Sequence, residues 1–205
     1  MQSLELILRE SASRHKHLCP RQVLGARMSL LAAALLGLEL PRADKRLLVI
    51  VETDGCMLDG LMAATGCHVG GRTLRILDFG KIAATFVDTY TTTALRLAPV
   101  MCSRTLASAY APDARNKWEG MLLGYQRMPA GELFKIQYVQ LKIPVKEIVS
   151  QAGKKAICDA CGEEILNGRE IQREDAVLCR ACAGDRYYLE VDLSAVPAQE
   201  AALTS

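Results

Sequence analysis

The chain has 205 residues, half of them apolar, and its 25 basic residues nearly balance 23 acidic ones, leaving a net charge of +2. This length suits one domain with a full core plus a small additional module. The near balance of charge argues against nucleic acid or a membrane surface as the partner. The most apolar run, Met28–Leu38, is also too short for a bilayer, which needs roughly 20 residues.

The amino terminus and the cysteine content bear on the cellular compartment. The opening residues, MQSLELILRE, lack the basic stretch, apolar run and cleavage site of a secretory signal. Eight cysteines in a chain without an export signal are expected to be metal ligands, reactive thiols or core residues rather than disulfides. We therefore expect a cytoplasmic protein.

Two helices are predicted at the start of the chain, over residues 3–12 and from Pro20 to about Leu38. Pro20 suits a first helical turn, because the N–H that proline lacks would have no helical partner there. The second helix is apolar nearly all round, and a helix of that kind is buried on more than one side. A core of this size offers limited cover, so we expect a homodimer.

The middle of the chain mixes strands and helices. The apolar run Leu47–Glu52 predicts a strand buried on both faces, followed by a short helix from Cys56 to about Thr65. Further elements are predicted as strands over 72–79 and 82–88, joined as a hairpin at Gly80-Lys81, strands over 91–97 and 133–143, and helical segments within 103–127 that Trp118 anchors. The lack of a regular βαβ rhythm indicates an α+β fold.

Composition divides the chain into three parts. We expect an α+β core domain over residues 1–150, a zinc finger domain over 151–193 and a disordered tail over 194–205. A polar, flexible segment at 151–155 would link the first two parts.

The strongest motif is a pair of Cys-x-x-Cys sequences in the second domain. Cys158 and Cys161 are separated by seventeen residues from Cys179 and Cys182. Zinc prefers four soft ligands in a tetrahedron, and two such pairs supply two chelating arms. We predict a structural zinc ion here, in a treble-clef-like finger with a hairpin between the pairs and a helix running from the second pair towards Tyr188.

The charge of this finger bears on its partner. Between residues 154 and 186, seven acidic residues outnumber six basic ones. Binding to nucleic acid requires a basic surface, which this balance does not provide. We therefore expect a structural module or a protein-contact module rather than one that binds nucleic acid.

A second, weaker group of metal-type ligands lies in the first domain. Its members are, in chain order, His15, His17, Cys19, Cys56, Cys67 and His68. Cys19 and Cys56 each come just before a predicted helix, where the helix dipole favours a thiolate. Imidazole and thiolate together suit zinc or another transition metal, although isolated cysteines are often small core residues.

This region resembles the E-subunit family of formylmethanofuran dehydrogenase over roughly residues 10–145. The resemblance rests on several short motifs in order: His15-x-His17-x-Cys19-Pro20, Cys56-x-x-Asp59, Thr65-Gly66-Cys67, Gly70-x-Arg72 and Asp78-x-Gly80-Lys81 with Ala-Thr-Phe86. It implies an α+β core, a dimer, an appended zinc finger in some members, and a core metal site whose matching positions here are His17, Cys19, Cys56 and Cys67.

Three positions depart from the family pattern. Lys16 and Arg21 stand where the family commonly has glycine, and His68 stands where it commonly has threonine. An extra imidazole beside Cys67 could add a ligand or change the preferred metal. The roles of His15 and His68 therefore stay open.

Two further residues could serve chemistry at this site. Asp59 lies one helical turn after Cys56 and could orient a ligand. Lys81 could contact an anionic substrate, or it could be a solvated turn residue. Together with Cys56, these two are the candidate catalytic residues.

The sequence supports two functions. The first is a metal-binding protein of the kind that this family resemblance implies, with a second transition metal, most simply zinc, in its core. It would act as an accessory component of a dehydrogenase or as an independent enzyme of this methanogenesis-related family. The chain has no C-x2-C-x2-C-x3-C iron–sulfur run, so it is not by itself the redox-active component. The second function is a regulatory or adaptor protein that contacts its partner through the finger.

Overall fold

In the computed structural model, a five-stranded sheet is built around the apolar run that the sequence marks as a doubly buried strand. This strand, β1 (Leu47–Val51), is buried at every position. It lies between the parallel strand β2 (Leu74–Ile76) and the antiparallel strand β3 (Ala84–Asp88). Strands β4 (Ala94–Pro99) and β5 (Phe134–Val139) continue the sheet in antiparallel pairing, which gives the order β2-β1-β3-β4-β5.

The predicted hairpin between residues 72–79 and 82–88 is wrong. Both segments contain a strand, but β1 lies between the two strands. The Gly80-Lys81 turn therefore belongs to a connection that passes from one side of β1 to the other. The physical reason is that β1, apolar on both faces, is the central strand and offers both of its edges for pairing.

Helices cover one face of the sheet and form the main core with it. The longer ones are α1 (Leu4–His15), α2 (Pro20–Leu36), α3 (Met57–Thr65) and α5 (Lys117–Arg127). Short helical turns complete the chain path: α4 (Ser103–Leu106), a 3-10 helix (Ala107–Tyr110), α6 (Ala130–Leu133) and α7 (Val145–Ile148). The mixed α+β architecture predicted from the sequence is confirmed.

Helix α2 is the centre of this helical layer. It contacts α1, α3 and α5 as well as strands β3 and β4, and most of its side chains are buried within the one chain. Leu35 is the large apolar side chain of α2 that stays exposed, at 43%. Elements of the same chain therefore bury most of α2, whereas the sequence-based prediction attributed this burial to a second copy of the chain.

The close crossing of α2 and α3 depends on two glycines. A Cβ added to Gly25 would lie 2.1 Å from the carbonyl oxygen of Met57, and one added to Gly60 would lie 2.0 Å from that of Gln22. Only glycine fits at such distances from a neighbouring backbone. The contact lies within the first two turns of both helices, so it brings the beginnings of α2 and α3 together.

The opposite face of the sheet has a smaller core. Its buried side chains lie under the segment 139–149 and are Leu48, Ile50, Val87 and Ala94. Beside them, the guanidinium of Arg96 pairs with both carboxylate oxygens of Glu52, at 2.6 and 2.7 Å. This face therefore carries a structural ion pair, while the candidate ligands of the first domain lie on the helical side.

The second unit consists of two antiparallel hairpins and a final turn. Strand β6 (Lys155–Ile157) pairs with β7 (Glu164–Leu166), and β8 (Ile171–Arg173) pairs with β9 (Ala176–Leu178). The predicted hairpin between the two cysteine pairs is confirmed. The predicted helix towards Tyr188 is wrong, because the chain makes only turns after Cys179.

A glycine accounts for the early end of that helical turn. The Ala183 N–H donates to the Cys179 carbonyl at 2.9 Å, as in a first helical turn. Gly184 then adopts φ +105°, a conformation outside the right-handed helix that side chains rarely allow. The helical geometry therefore ends immediately after the second cysteine pair.

The structure describes residues 2–15, 17–149 and 153–190, and the chain divides into one unit of residues 1–149 and another of 150–205. The predicted disordered tail, residues 194–205, lies outside the described residues. Within the described ranges, no helix has the length and apolar character needed to cross a membrane.

Replacing Gly60 with alanine should destabilise the first domain, because the added methyl group would overlap the Gln22 carbonyl. Overpacking of this kind costs about 1–3 kcal/mol. Urea unfolding followed by circular dichroism measures the change. The matched control is Gly131→Ala, since nothing lies within 4 Å of a Cβ added there. Equal stability of the two variants would show that the helices do not need this close contact.

Candidate metal centres and cavity

The four finger cysteines converge as the sequence predicts. The sulfur atoms of Cys158, Cys161, Cys179 and Cys182 all lie within 4.8 Å of one another, and those of Cys161 and Cys179 are 4.0 Å apart. Zinc–sulfur bonds of about 2.3 Å in a tetrahedron require sulfur atoms about 3.8 Å apart. The donor set and its spacing therefore fit one zinc ion.

Backbone N–H groups prepare this site for metal. The Cys179 N–H donates to the Cys158 sulfur at 3.3 Å, and the Cys182 N–H donates to the Cys179 sulfur at 3.4 Å. The donors from Cys179 and Cys161 lower the pKa of Cys158 to about 6. Zinc binds the thiolate form, so the donors to Cys158 favour the state in which that residue binds the metal.

In the first domain, Cys19 is the residue that caps the start of α2, and Gln22 holds it in place. The Gln22 side chain accepts the Cys19 N–H at 2.7 Å, and its amide donates to the Ser11 carbonyl at 3.4 Å. Gln22 is fully buried. A buried amide with partners on both sides fixes the backbone of Cys19, and with it the position of its Cβ.

Cys56, which directly precedes α3, lines the same cavity as Cys19, and its thiol lies near enough to influence that of Cys19. Burial raises the pKa of Cys19, and the neighbouring Cys56 raises it further, against the lowering effect of the Gln22 and Arg21 N–H groups. The helix-terminus effect predicted from the sequence is therefore present but outweighed. A divalent cation would reverse this balance, since it favours both thiolates.

The two thiols line a cavity of about 820 Å³, within the usual size of a small-molecule site. Its walls come from the start of α2, the turn before β3, the end of β4, and helices α4 and α5. The other lining residues are Pro20, Arg21, Leu24, Lys81, Ile82, Pro99, Val100, Met101, Ser103, Arg104, Thr105, Trp118, Met121 and Tyr125.

The charged side chains that line the cavity are all basic. Arg21, Lys81 and Arg104 line it, whereas none of its described lining residues is aspartate or glutamate. None of the three cations forms an ion pair with a residue that the structure describes. The site therefore combines two thiols with an unneutralised basic rim.

Cys67 does not join Cys19 and Cys56. It lies beyond the opposite end of α3, a helix of nine residues, which is about 13 Å long at 1.5 Å per residue. Its buried thiol donates to the Leu47 carbonyl at 3.5 Å. It lines a separate cavity of about 440 Å³ together with His68. Cys67, which the family resemblance included in the core metal site, therefore leaves the candidate ligand set.

The remaining candidate ligands lie outside the lining of the large cavity. His17 is exposed on the segment before Cys19, and Asp59 is half-buried in the first turn of α3. His68 accepts the Gly71 N–H at 2.9 Å, and the side chain of His15 lies outside the described residues. Among described residues, the finger is the only group of three or more such ligands with donor atoms this close together.

Sequence reasoning misses most of the cavity wall. Trp118, which the sequence suggests as an anchor of the helical segment, lines the cavity and is 48% exposed. Arg21 is marked only as a departure from the family pattern, and no motif marks Arg104. Gly25 and Gly60 are the sequence signal that marks the close crossing of α2 and α3. A glycine inside a helix lowers stability by about 0.5–1 kcal/mol relative to alanine, so its presence points to a close contact with a neighbouring element.

Comparison with known proteins places this architecture in a family. Residues 14–135, more than half of the chain, match the family described as FmdE, molybdenum formylmethanofuran dehydrogenase operon. The chain belongs to the FmdE family. Residues 152–188 match the prokaryotic dksA/traR C4-type zinc finger. Both parts of the resemblance predicted from the sequence, the core domain and the appended finger, are confirmed.

Two individual proteins are similar over nearly the whole chain. A probable S-adenosyl-L-methionine-binding protein of Archaeoglobus fulgidus is 30% identical, over 90% of this chain and 54% of that protein. The chain thus spans about half the length of this relative. A solved tungsten formylmethanofuran dehydrogenase FmdE-like protein from Syntrophus aciditrophicus is 23% identical, with a TM-score of 0.57 over 92% of this chain and 96% of that one. At this identity, the likeness shows the fold.

Replacing Cys161 with serine should release zinc from the finger and loosen residues 154–190, because metal binding supplies about 10–16 kcal/mol in comparable modules. Limited proteolysis with mass spectrometry locates the loosened segment, and the first domain should stay resistant. Unchanged resistance of the finger after zinc chelation would contradict its dependence on metal.

Proposed function

We propose that Cys19 and Cys56 are protein ligands of a transition-metal ion, most simply zinc, and that the FmdE domain acts on a small molecule beside it. The observation that carries this proposal is that two cysteines at the beginnings of two helices lie near each other on the wall of one cavity of ligand size. The rest of the cavity supports it, because a structural thiol pair needs no such space.

The donor set fits an incomplete coordination shell. Two thiolates would leave positions for water, for substrate and for a third protein ligand. His17, two residues from Cys19, is the candidate for that third position. A zinc ion with an open position acts as a Lewis acid towards a carbonyl or a bound water. A closed tetrahedron, as in the finger, serves structure instead.

The chain's own residues would bind and orient the substrate. Lys81 lines the cavity, which supports a role in contacting an anionic group. Asp59 is half-buried in the first turn of α3 and does not line the cavity, so its role would be to orient Cys56 rather than to touch substrate. Cys56 itself would act through the metal.

This proposal favours an independent enzyme over an accessory component, because the cavity and its thiols belong to one chain. An accessory role in a formylmethanofuran dehydrogenase is the alternative that the family description suggests. Reduced thiols are required in either case, which supports a cytoplasmic location.

A second candidate function is an adaptor that contacts a protein partner through the finger. The observation in its favour is a set of exposed apolar side chains in the second unit, namely Ile157, Leu166, Tyr187 and Leu189. Zinc removal by Cys161→Ser would abolish such a contact and leave the core site intact. The two functions therefore give opposite results with this variant.

Binding of S-adenosyl-L-methionine is named for the Archaeoglobus relative. That ligand carries a sulfonium, an ammonium and one carboxylate, so its net charge is positive, and a cavity rim of three cations opposes it. Since this chain spans about half of that relative, such binding could belong to the other half. We therefore rank it below a metal-assisted reaction of an anionic substrate.

We also propose a homodimer, from the exposed edge strand of the sheet. Edge strand β5 exposes Ile136 at 38% and Tyr138 at 72%, and an exposed apolar edge pairs readily with a second strand. Light scattering at micromolar concentration should give twice the mass of one chain, and Tyr138→Lys should lower it. A monomer at that concentration would contradict the dimer.

The Cys56→Ala variant should lose about one equivalent of metal per chain and keep the zinc of the finger. Mass spectrometry of the native protein, or elemental analysis, counts the ions. The matched control is Cys67→Ala, another cysteine of the same domain that lies away from the cavity, and it should keep its metal.

Equal metal content in the wild type and in Cys56→Ala would contradict the core centre. Loss of metal in both variants would show that unfolding, rather than loss of a ligand, is responsible. Circular dichroism on the same samples distinguishes the two outcomes.

A further inference from the structure

We propose that the cavity binds an anionic organic ligand, with its phosphate or carboxylate group among Arg21, Lys81 and Arg104 and its apolar part against Trp118, Met121 and Tyr125. This inference rests on the proposed function, since it names the class of substrate that would lie beside Cys19 and Cys56. Three features of the cavity carry it.

The first feature is the origin of the cations. Arg21 lies in the first turn of α2, Lys81 in the connection before β3, and Arg104 in α4. Three segments far apart in sequence thus bring positive charge to one cavity. A run of solvated basic residues would come from one segment of the chain, and its side chains would not meet in one cavity. Convergence of cations without a carboxylate is the arrangement that recognises an anion.

The second feature is the position of Arg21 relative to the thiols. A Cβ added to Gly55 would lie 3.7 Å from the guanidinium of Arg21, and Gly55 directly precedes Cys56. An anionic group bound by Arg21 would therefore lie close to the thiol pair. This neighbourhood also suits the metal, because an anionic ligand would add to the charge that the two thiolates supply.

The third feature is the apolar wall. Tyr125 and Leu24 are buried at the cavity, Met121 is half-buried, and Trp118 is exposed at its edge. Aromatic and thioether groups of this kind pack against planar or aliphatic parts of a ligand. Inorganic phosphate alone would leave this wall in contact with water. The cavity therefore fits a molecule with both a charged end and an apolar body.

The chain contains one tryptophan, and it lies in this cavity, so its fluorescence reports occupancy directly. Phenyl phosphate and benzoate are the amphipathic probes, and inorganic phosphate and phenol supply each half alone. We expect at least one amphipathic probe to change Trp118 emission with saturation, and to bind at least about fivefold more tightly than either half. Stronger binding of phenyl phosphate or of benzoate distinguishes a phosphate from a carboxylate ligand.

The double variant Lys81→Gln/Arg104→Gln should weaken this binding about tenfold and reduce its dependence on salt. Its control, Lys135→Gln/Lys142→Gln, removes the same charge from exposed positions outside the cavity and should bind within about twofold of the wild type. Equal weakening in both variants, or no saturable response to either amphipathic probe, would overturn the proposal.

The Cys56→Ala variant separates this inference from the proposed metal centre. If it loses metal but still binds the amphipathic probe, both proposals hold, because the cations and the apolar wall are intact. If the wild type binds the probe but Cys56→Ala keeps all its metal, only the metal centre fails. If the wild type contains the core metal but shows no probe binding, only the anionic ligand fails.

Discussion

The close contact between α2 and α3 is the constraint on which the rest of the first domain depends. Gly25 and Gly60 allow the two backbones to meet at distances that any side chain would prevent. Because the contact lies near the beginnings of both helices, Cys19 and Cys56 become neighbours although 37 residues apart in sequence. In the same arrangement, one side of the two thiols faces the cavity. The helix contact therefore determines both the packing of the domain and the position of the candidate site.

The chain contains two kinds of thiol arrangement, and their surroundings indicate different purposes. In the finger, the four sulfur atoms lie within 4.8 Å of one another, so the donor set fits a structural ion. In the core, the thiols of Cys19 and Cys56 lie near each other on the wall of a cavity. A complete tetrahedron stabilises a small module, whereas an incomplete one leaves room for a reacting molecule.

The sequence predicts features set by local patterns and misses those set by distant contacts. The start of α2 at Pro20, the buried strand β1 and the four zinc ligands each follow from neighbouring residues, and the structure agrees. The place of β2 beside β1, the departure of Cys67 and the convergence of Arg21, Lys81 and Arg104 depend on how elements pack. Spacing along the chain carries no information about such packing, although Gly25 and Gly60 inside helices mark where it is close.

The central claim is that the helix contact creates a second metal centre at Cys19 and Cys56. Anomalous diffraction from a crystal of the metal-loaded protein, recorded at the zinc edge and at neighbouring transition-metal edges, tests it most directly. The account predicts two anomalous peaks per chain, one among the finger cysteines and one within bonding distance of both core sulfur atoms. A single peak in the finger, with Cys19 and Cys56 bound to no metal, would contradict it.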